Sequence, residues 1–411
     1  MKIIKCGLLI DGTGRTPERD TAIVIEGERI KLICSFNEAQ QLSKSGDATI
    51  IDASDKFVIP GLIDSHVHLS FSAGRNPTFD AIHDSDDQLM IRQVKNAQTA
   101  LRAGITTVRD CGSRGMSLLA LRDAINSGFI EGSRIFASGI AVTSTGGHCH
   151  FLGGEADSSD EIIKLVRTLS RERADYIKVM LSGGNMTPGS NPQITQYTLE
   201  QAETLVRTAH ELGKTVAAHV LNKLSIQIAV DAGIDTLEHC AFLDKSGMSD
   251  FDQRCIKKAV EKGLYISPAM NYGTLAGYVP TPGEDLESSQ VKQKIAFWEE
   301  LTKTRFATTR TMVQMGAKII GGTDAGTKNT GFEDYWKSLA ALNERCGMSS
   351  MQVIESATRL PAEAMGIDDE TGTLQPGKVA DLVILNENPL LSMKNLTDIS
   401  DVFFKGKRVA K

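Results

Sequence analysis

The chain has 411 residues, 41% of them apolar and 23% charged, with a formal net charge of −6. That length accommodates one large domain plus a smaller one, and the charge pattern holds neither a basic block for nucleic acid nor an acidic tail for a disordered partner arm. No run approaches the roughly 18–20 apolar residues of a membrane helix, and the N-terminal MKIIKCGLLIDGTG is interrupted by Asp11 and Gly12 before it could serve as a secretory core, so a cytoplasmic enzyme is expected, with no nucleic-acid or membrane partner.

Residues 1–55 read as short strands with turns, and Glu26-Gly27-Glu28 is a hairpin signal between two apolar runs. From about residue 56 to 365 the pattern changes to short β-branched runs separated by segments of helical period. The eight runs are 62–69, 105–112, 134–139, 175–181, 215–220, 236–240, 264–270 and 318–326. Between them lie helix candidates such as 88–103, 160–173, 198–212, 222–232, 250–262, 297–316 and 333–345, several stopped by Gly104, Gly213, Gly233, Gly263 and Gly316. The last forty or so residues return to strands, with a hairpin around Lys405-Gly406. Eight βα units predict a (β/α)8 TIM barrel over 56–365, and the two β-rich ends, 1–55 and 366–411, predict one small β-sandwich domain formed from both termini. A doubly wound sheet is the runner-up, but no GxGxxG follows the first strand. The seven cysteines are odd in number, scattered and without a CxxC, which argues for reduced, mostly buried thiols.

The chain has only eight histidines, and four fall at or near the C-terminal ends of predicted strands, the face where such barrels carry active sites. His66 and His68, two apart in DSHVHL, point to one face of the first strand. They are either two ligands for one metal or a pair of packing histidines. His219 closes the fifth strand and His239 the sixth. Either alone is more simply a hydrogen-bonded core residue, but on adjacent strands beside an HxH pair they read as ligands. Lys178 sits inside the apolar fourth strand, where an unpaired charge is costly. It is either ion-paired to an acid or carboxylated by carbon dioxide, the resulting carbamate having two oxygens that can bridge two metals. Asp324 ends the eighth run between glycines that would leave room for a close ligand or substrate. It is either a ligand and proton carrier or a helix N-cap. Imidazole and carboxylate ligands suit zinc, manganese, iron or cobalt, and six ligands are too many for one ion but right for two.

On these residues, together with PGLIDSHVHL, GTDAG and the C-terminal TGTLQPGKVADLVIL (371–385), the chain resembles the amidohydrolase superfamily over nearly its whole length. Its closest likeness is to the binuclear prolidase-like and Xaa-Arg(Lys) dipeptidase (carboxypeptidase)-like members. The resemblance implies that His66, His68 and Asp324 bind the more buried of two divalent ions, most simply zinc, and that His219 and His239 bind the second. It implies that a carboxylated Lys178 bridges them, and that Asp324 moves a proton from the bridging water to the leaving amine. His148, in TSTGGHCH (143–150), would contact the substrate and catalyse by polarising its carbonyl or steadying the oxyanion; otherwise it is a loop histidine, and His150 is a weaker candidate. The loop SGGNMTPGS (182–190) would line the pocket unless its glycines serve only turn geometry.

The expected activity is hydrolysis of an amide bond in a small N-acyl amino acid or dipeptide-like substrate by a homo-oligomeric enzyme. Leu221 stands two residues after His219, where relatives often carry a Tyr or His for the substrate carboxylate. Arg114 and Lys328 are the candidate replacements, and a less polar amide, carbamate or urea compound becomes the competing substrate. A deaminase is disfavoured because no HxxE starts at His219. A non-catalytic scaffold is disfavoured because all six ligand positions are kept.

Overall fold

The N-terminal segments pair first with each other. Strands β1 (Lys2–Leu9), β2 (Glu18–Glu26) and β3 (Arg29–Ser35) form an antiparallel meander, and β4 (Thr49–Pro60) lies parallel to β1. Alternate residues separate the two faces, as the pleat requires. Ile3, Ala22 and Val24 meet a short helix, Phe36–Lys44, while Ile4, Ile23 and Ile25 join another apolar cluster. The turn at Gly27 is left-handed, as the hairpin signal required.

In this computed structural model, which describes residues 1–44, 48–270 and 285–410, all eight expected runs become strands. Strands β5 (Leu62–Val67), β6 (Ile105–Asp110) and β7 (Arg134–Ala137) pair parallel in that order. Strands β8 (Ile177–Met180), β9 (Val216–Asn222), β10 (Thr236–Leu243), β11 (Tyr265–Ser267) and β12 (Lys318–Ile319) form a second parallel sheet. Two isolated parallel bridges, Val142 to Val179 and Val67 to Ala325, join the sheets. The result is a closed (β/α)8 barrel whose strands and surrounding helices share one apolar core.

Strands β13 (Leu382–Leu385), β14 (Ile399–Phe404) and β15 (Lys407–Arg408) extend the N-terminal sheet to the order β15-β14-β13-β4-β1-β2-β3. Leu382, Ile384 and Phe403 complete the cluster begun by Ile4 and Ile23, so the two ends of the chain enclose a common small core.

The glycines at 104, 213, 233, 263 and 316 all have positive φ, as helix stops require. One helix differs from expectation. The segment expected to be helical from 297 begins at Ser289, because the Ser288 side chain accepts from Val291 N and caps a first turn of polar residues. All seven cysteines are free. Among the described residues no helix is long and apolar enough to cross a membrane.

Candidate active site

The C-terminal mouth of the barrel opens into a cavity of about 370 Å³. His66 lies on β5 and His68 immediately after it, and their Nε2 atoms are 3.5 and 3.4 Å from Asp324 Oδ1. Asp324 is not the last residue of its strand. The ladder ends at Ile319, and the segment beyond it is held to β5 by the backbone, with Asp324 N donating to His66 O at 2.7 Å and His68 N to Ala325 O at 2.8 Å. Nor do the flanking glycines make room for a ligand. A Cβ at Gly322 would stand 2.9 Å from that of His66, and one at Gly326 would collide with the His68 carbonyl. Their absence of a side chain lets the eighth segment lie against the first strand.

The remaining histidines complete an arc. Ring centroids are 4.9 Å apart for His66 and His239, 4.6 Å for His239 and His219, and 4.5 Å for His219 and His148. His239 occupies the left-handed region with φ 66°, at a break in register where β10 bulges away from β9. Asp324 is also left-handed, with φ 62°. Non-glycine residues held there are uncommon and cluster at functional sites.

Lys178, fully buried on β8, faces the same cavity. Its Nζ has no hydrogen-bond partner among the described residues, so the ion pair that would make it merely structural is not formed.

The partners of the histidines fix which nitrogen of each carries the proton. His66 Nδ1 lies 2.6 Å from Glu238 Oε2, and His68 Nδ1 lies 3.0 Å from the Gly112 carbonyl. A carboxylate or carbonyl can only accept, so a proton sits on each Nδ1, and each Nε2 is the nitrogen turned toward Asp324. His219 is reversed, since its Nε2 donates to the Gly183 carbonyl at 3.2 Å. His219 therefore offers Nδ1. Second partners of this kind orient ligating imidazoles and hold their tautomer.

Electrostatics agree with the geometry. Burial, reinforced by neighbouring histidines and Lys178, holds the pKa of His219 and of His239 well below the usual imidazole value. Burial favours a protonated Asp324, but the surrounding His68, His66 and His239 outweigh it and hold the carboxyl below its usual range. His66, His68 and Asp324 bring one ligand atom each within 4.8 Å of one another, an arrangement able to hold a metal ion. A second such group, His66, Cys111 and Glu238, lies beneath it. There Glu238 is engaged by Arg109 Nη2 at 2.5 Å and acts as a support for His66.

The amidohydrolase family pattern matches residues 57–409. The chain belongs to the amidohydrolase family. An ochratoxinase from Aspergillus niger is 29% identical over 422 residues, covering 95% of this chain and 82% of that protein. An imidazolonepropionase from Rhizobium rhizogenes is 25% identical, covering 89% of this chain and 87% of that protein. Among solved structures, a Xaa-Pro dipeptidase with bound methionine in its active site superposes with a TM-score of 0.85 at 28% identity, covering all of both chains. The A. niger ochratoxinase structure gives 0.83 at 26% identity, covering 99% of this chain and 95% of that one.

Other expectations for this amidohydrolase resolve individually. His148 is buried and lines the cavity, with Nδ1 3.0 Å from Thr187 Oγ1. Asn185 and Met186 of the 182–190 loop line it too, whereas His150 packs beside Phe151 outside it. Lys328 reaches the rim, but Arg114 does not reach the cavity. Its guanidinium is bound to the carbonyls of Ala81, Ile82 and Asp84 and to Asp86, at 2.7–3.0 Å, where it ties down the connection between two helices.

Three important residues were not found from sequence. Glu238 and Arg109 were visible only as charges inside apolar runs, Glu238 directly before His239 in TLEHC. Arg305, on helix Ser289–Gln314, lines the cavity with no motif to announce it.

Proposed function

We propose that this amidohydrolase is a two-metal enzyme that hydrolyses the amide bond of an N-acyl amino acid or dipeptide-like substrate. Lys178 carries this reading. A buried amine with no partner among the described residues, on a cavity shared with the histidines and Asp324, is costly unless modified. Its neutral form attacks carbon dioxide, an N–C bond forms, and a proton leaves to solvent, giving a carbamate with two oxygens. His66, His68 and Asp324 would hold one divalent ion and His219 and His239 a second, and the Lys178 carbamate would supply the further oxygen ligands they share. Zinc is the simplest choice for such ligands. When bound, the ions supply hydroxide at neutral pH and polarise a carbonyl.

The chain's own residues do the rest. Asp324, held ionised, takes the proton of the attacking water and returns it to the leaving amine. In this reading the Thr187 hydroxyl, which accepts from Cys149 N at 2.8 Å, donates to His148 Nδ1 at 3.0 Å, and the His148 proton stands on Nε2. Burial lowers the His148 pKa to about 3. A neutral imidazole of that tautomer donates a hydrogen bond to the developing oxyanion without a net charge of its own.

The likeness to an ochratoxinase and to a Xaa-Pro dipeptidase supports amide cleavage. Leu221 on the cavity wall favours a second reading, a less polar amide, carbamate or urea compound. Hydrolysis of a library of N-acyl amino acids, dipeptides and carbamates by the metal-loaded enzyme separates the two. Undiminished turnover after complete metal removal would refute both.

A further inference from the structure

The helix Ser289–Gln314 lays Trp298, Leu301 and Arg305 on the cavity, at the spacing of one helical face. Arg305 Nη2 donates to the carbonyls of Pro268 at 3.0 Å and Ala269 at 3.3 Å, just beyond β11. Those two bonds fix the head of the side chain. Among the described residues its Nε and Nη1 have no hydrogen-bond partner and no carboxylate is in ion-pair contact with it. Burial pushes the guanidinium below its usual pKa, with Asp324 opposing. The other cations on the cavity are placed differently. Lys178 is at its floor and Lys328 is exposed at its rim. The cavity lining also includes the apolar side chains of Leu221, Leu243, Ala269 and Leu301.

Resting on the hydrolase reading above, we propose that Arg305 binds the substrate's free carboxylate, in place of the polar residue absent at Leu221. A fixed guanidinium with unused N–H groups suits a planar carboxylate, and the apolar part of the lining suits a hydrophobic residue. The favoured substrate class is therefore N-acyl derivatives of apolar amino acids with an ionised carboxylate.

The test compares N-acetylphenylalanine with its neutral C-terminal amide, read as kcat/KM of the acetyl-amide cleavage, in the metal-loaded wild type, Arg305→Leu and Arg305→Lys. Binding of 3-phenylpropionate and of 3-phenylpropanol to the same metal-loaded proteins gives a readout independent of turnover. Wild type should prefer the acid. Arg305→Leu should lose about 100-fold on it through KM, with the neutral substrate nearly unchanged, and Arg305→Lys should recover part of the loss. Phenylpropionate binding should weaken at least tenfold in Arg305→Leu, while phenylpropanol is unaffected. Retained acid preference in Arg305→Leu, equal loss on both substrates, or unweakened phenylpropionate binding would overturn the carboxylate role and leave the hydrolase reading standing. Cleavage of neither substrate by wild type would count against the hydrolase reading, and binding alone would then decide the role of Arg305.

Discussion

His66 Nδ1 and Glu238 Oε2 lie 2.6 Å apart, across the barrel interior between the first strand and the sixth, and Glu238 Oε1 is held by Arg109 at 2.5 Å. All three side chains are buried. Burial alone would protonate Glu238, but Arg109 and His66 hold it ionised, below the usual carboxylate range. Glu238→Gln keeps the shape and removes the charge, leaving Arg109 buried without a counter-ion. Loss of one member of a buried pair costs about 3–5 kcal/mol, and loss of an orienting partner costs about 10–100-fold in metal affinity. Denaturant unfolding and metal titration of this variant measure the two effects separately. A variant as stable and as metal-competent as wild type would show that the pair supports nothing.

Lys178→Ala should lose bound metal and most activity, because the cavity loses the group proposed to bridge the two halves of the site. Carbon-13 NMR after exposure to labelled carbon dioxide should show a carbamate carbon in wild type and none in the variant. A variant with full metal content and activity would reduce Lys178 to a structural residue.

Asp324→Asn should depress kcat by about 10²–10⁴-fold, the usual worth of a positioned proton carrier, with a smaller effect on KM. Burst and steady-state kinetics distinguish a slowed chemical step from slowed product release. An unchanged kcat would place the proton transfer elsewhere.

Removal of metal should make stability depend on pH in a defined window. His148 is held down to about 3 in the fold, against about 6.5 in an unfolded chain. Between those values the unfolded chain binds a proton that the folded one does not, so stability rises with pH there and falls as the solution is acidified. His219 and His239 are shifted in the same direction by burial. Unfolding of the chelated protein at about pH 7.5 and about pH 5 should show the loss, and His148→Gln should lessen it. A His148→Gln variant with the same pH dependence as wild type would contradict a neutral buried His148.

The strands and the histidines were legible in the sequence for a common reason. Short β-branched runs spaced by helical periods carry the barrel, and a polar residue interrupting such a run near its end is conspicuous. Asp324 was legible as a residue but not in its placement, since the backbone beyond Ile319 follows β5 through bonds to His66 and His68 rather than a ladder of its own. The glycines beside it were misjudged because their neighbour, the first strand, is more than two hundred residues away. Short helices such as Pro77–His83 and Arg359–Met365 have too few turns for a period to declare itself. Arg305 and Arg114 are the clearest limit. Both are arginines in polar surroundings, and only tertiary packing sends one to the cavity and the other to a helix junction.

The barrel's closure has a consequence of its own. Its first and last segments meet through an isolated bridge at Val67 and Ala325, and the residues on either side of that bridge are His66, His68 and Asp324. An ion held by those three side chains would be a clasp on the seam of the barrel, fastening the segment that enters the ring to the one that closes it. Its departure would free the seam before any other joint, and amide exchange should quicken there first.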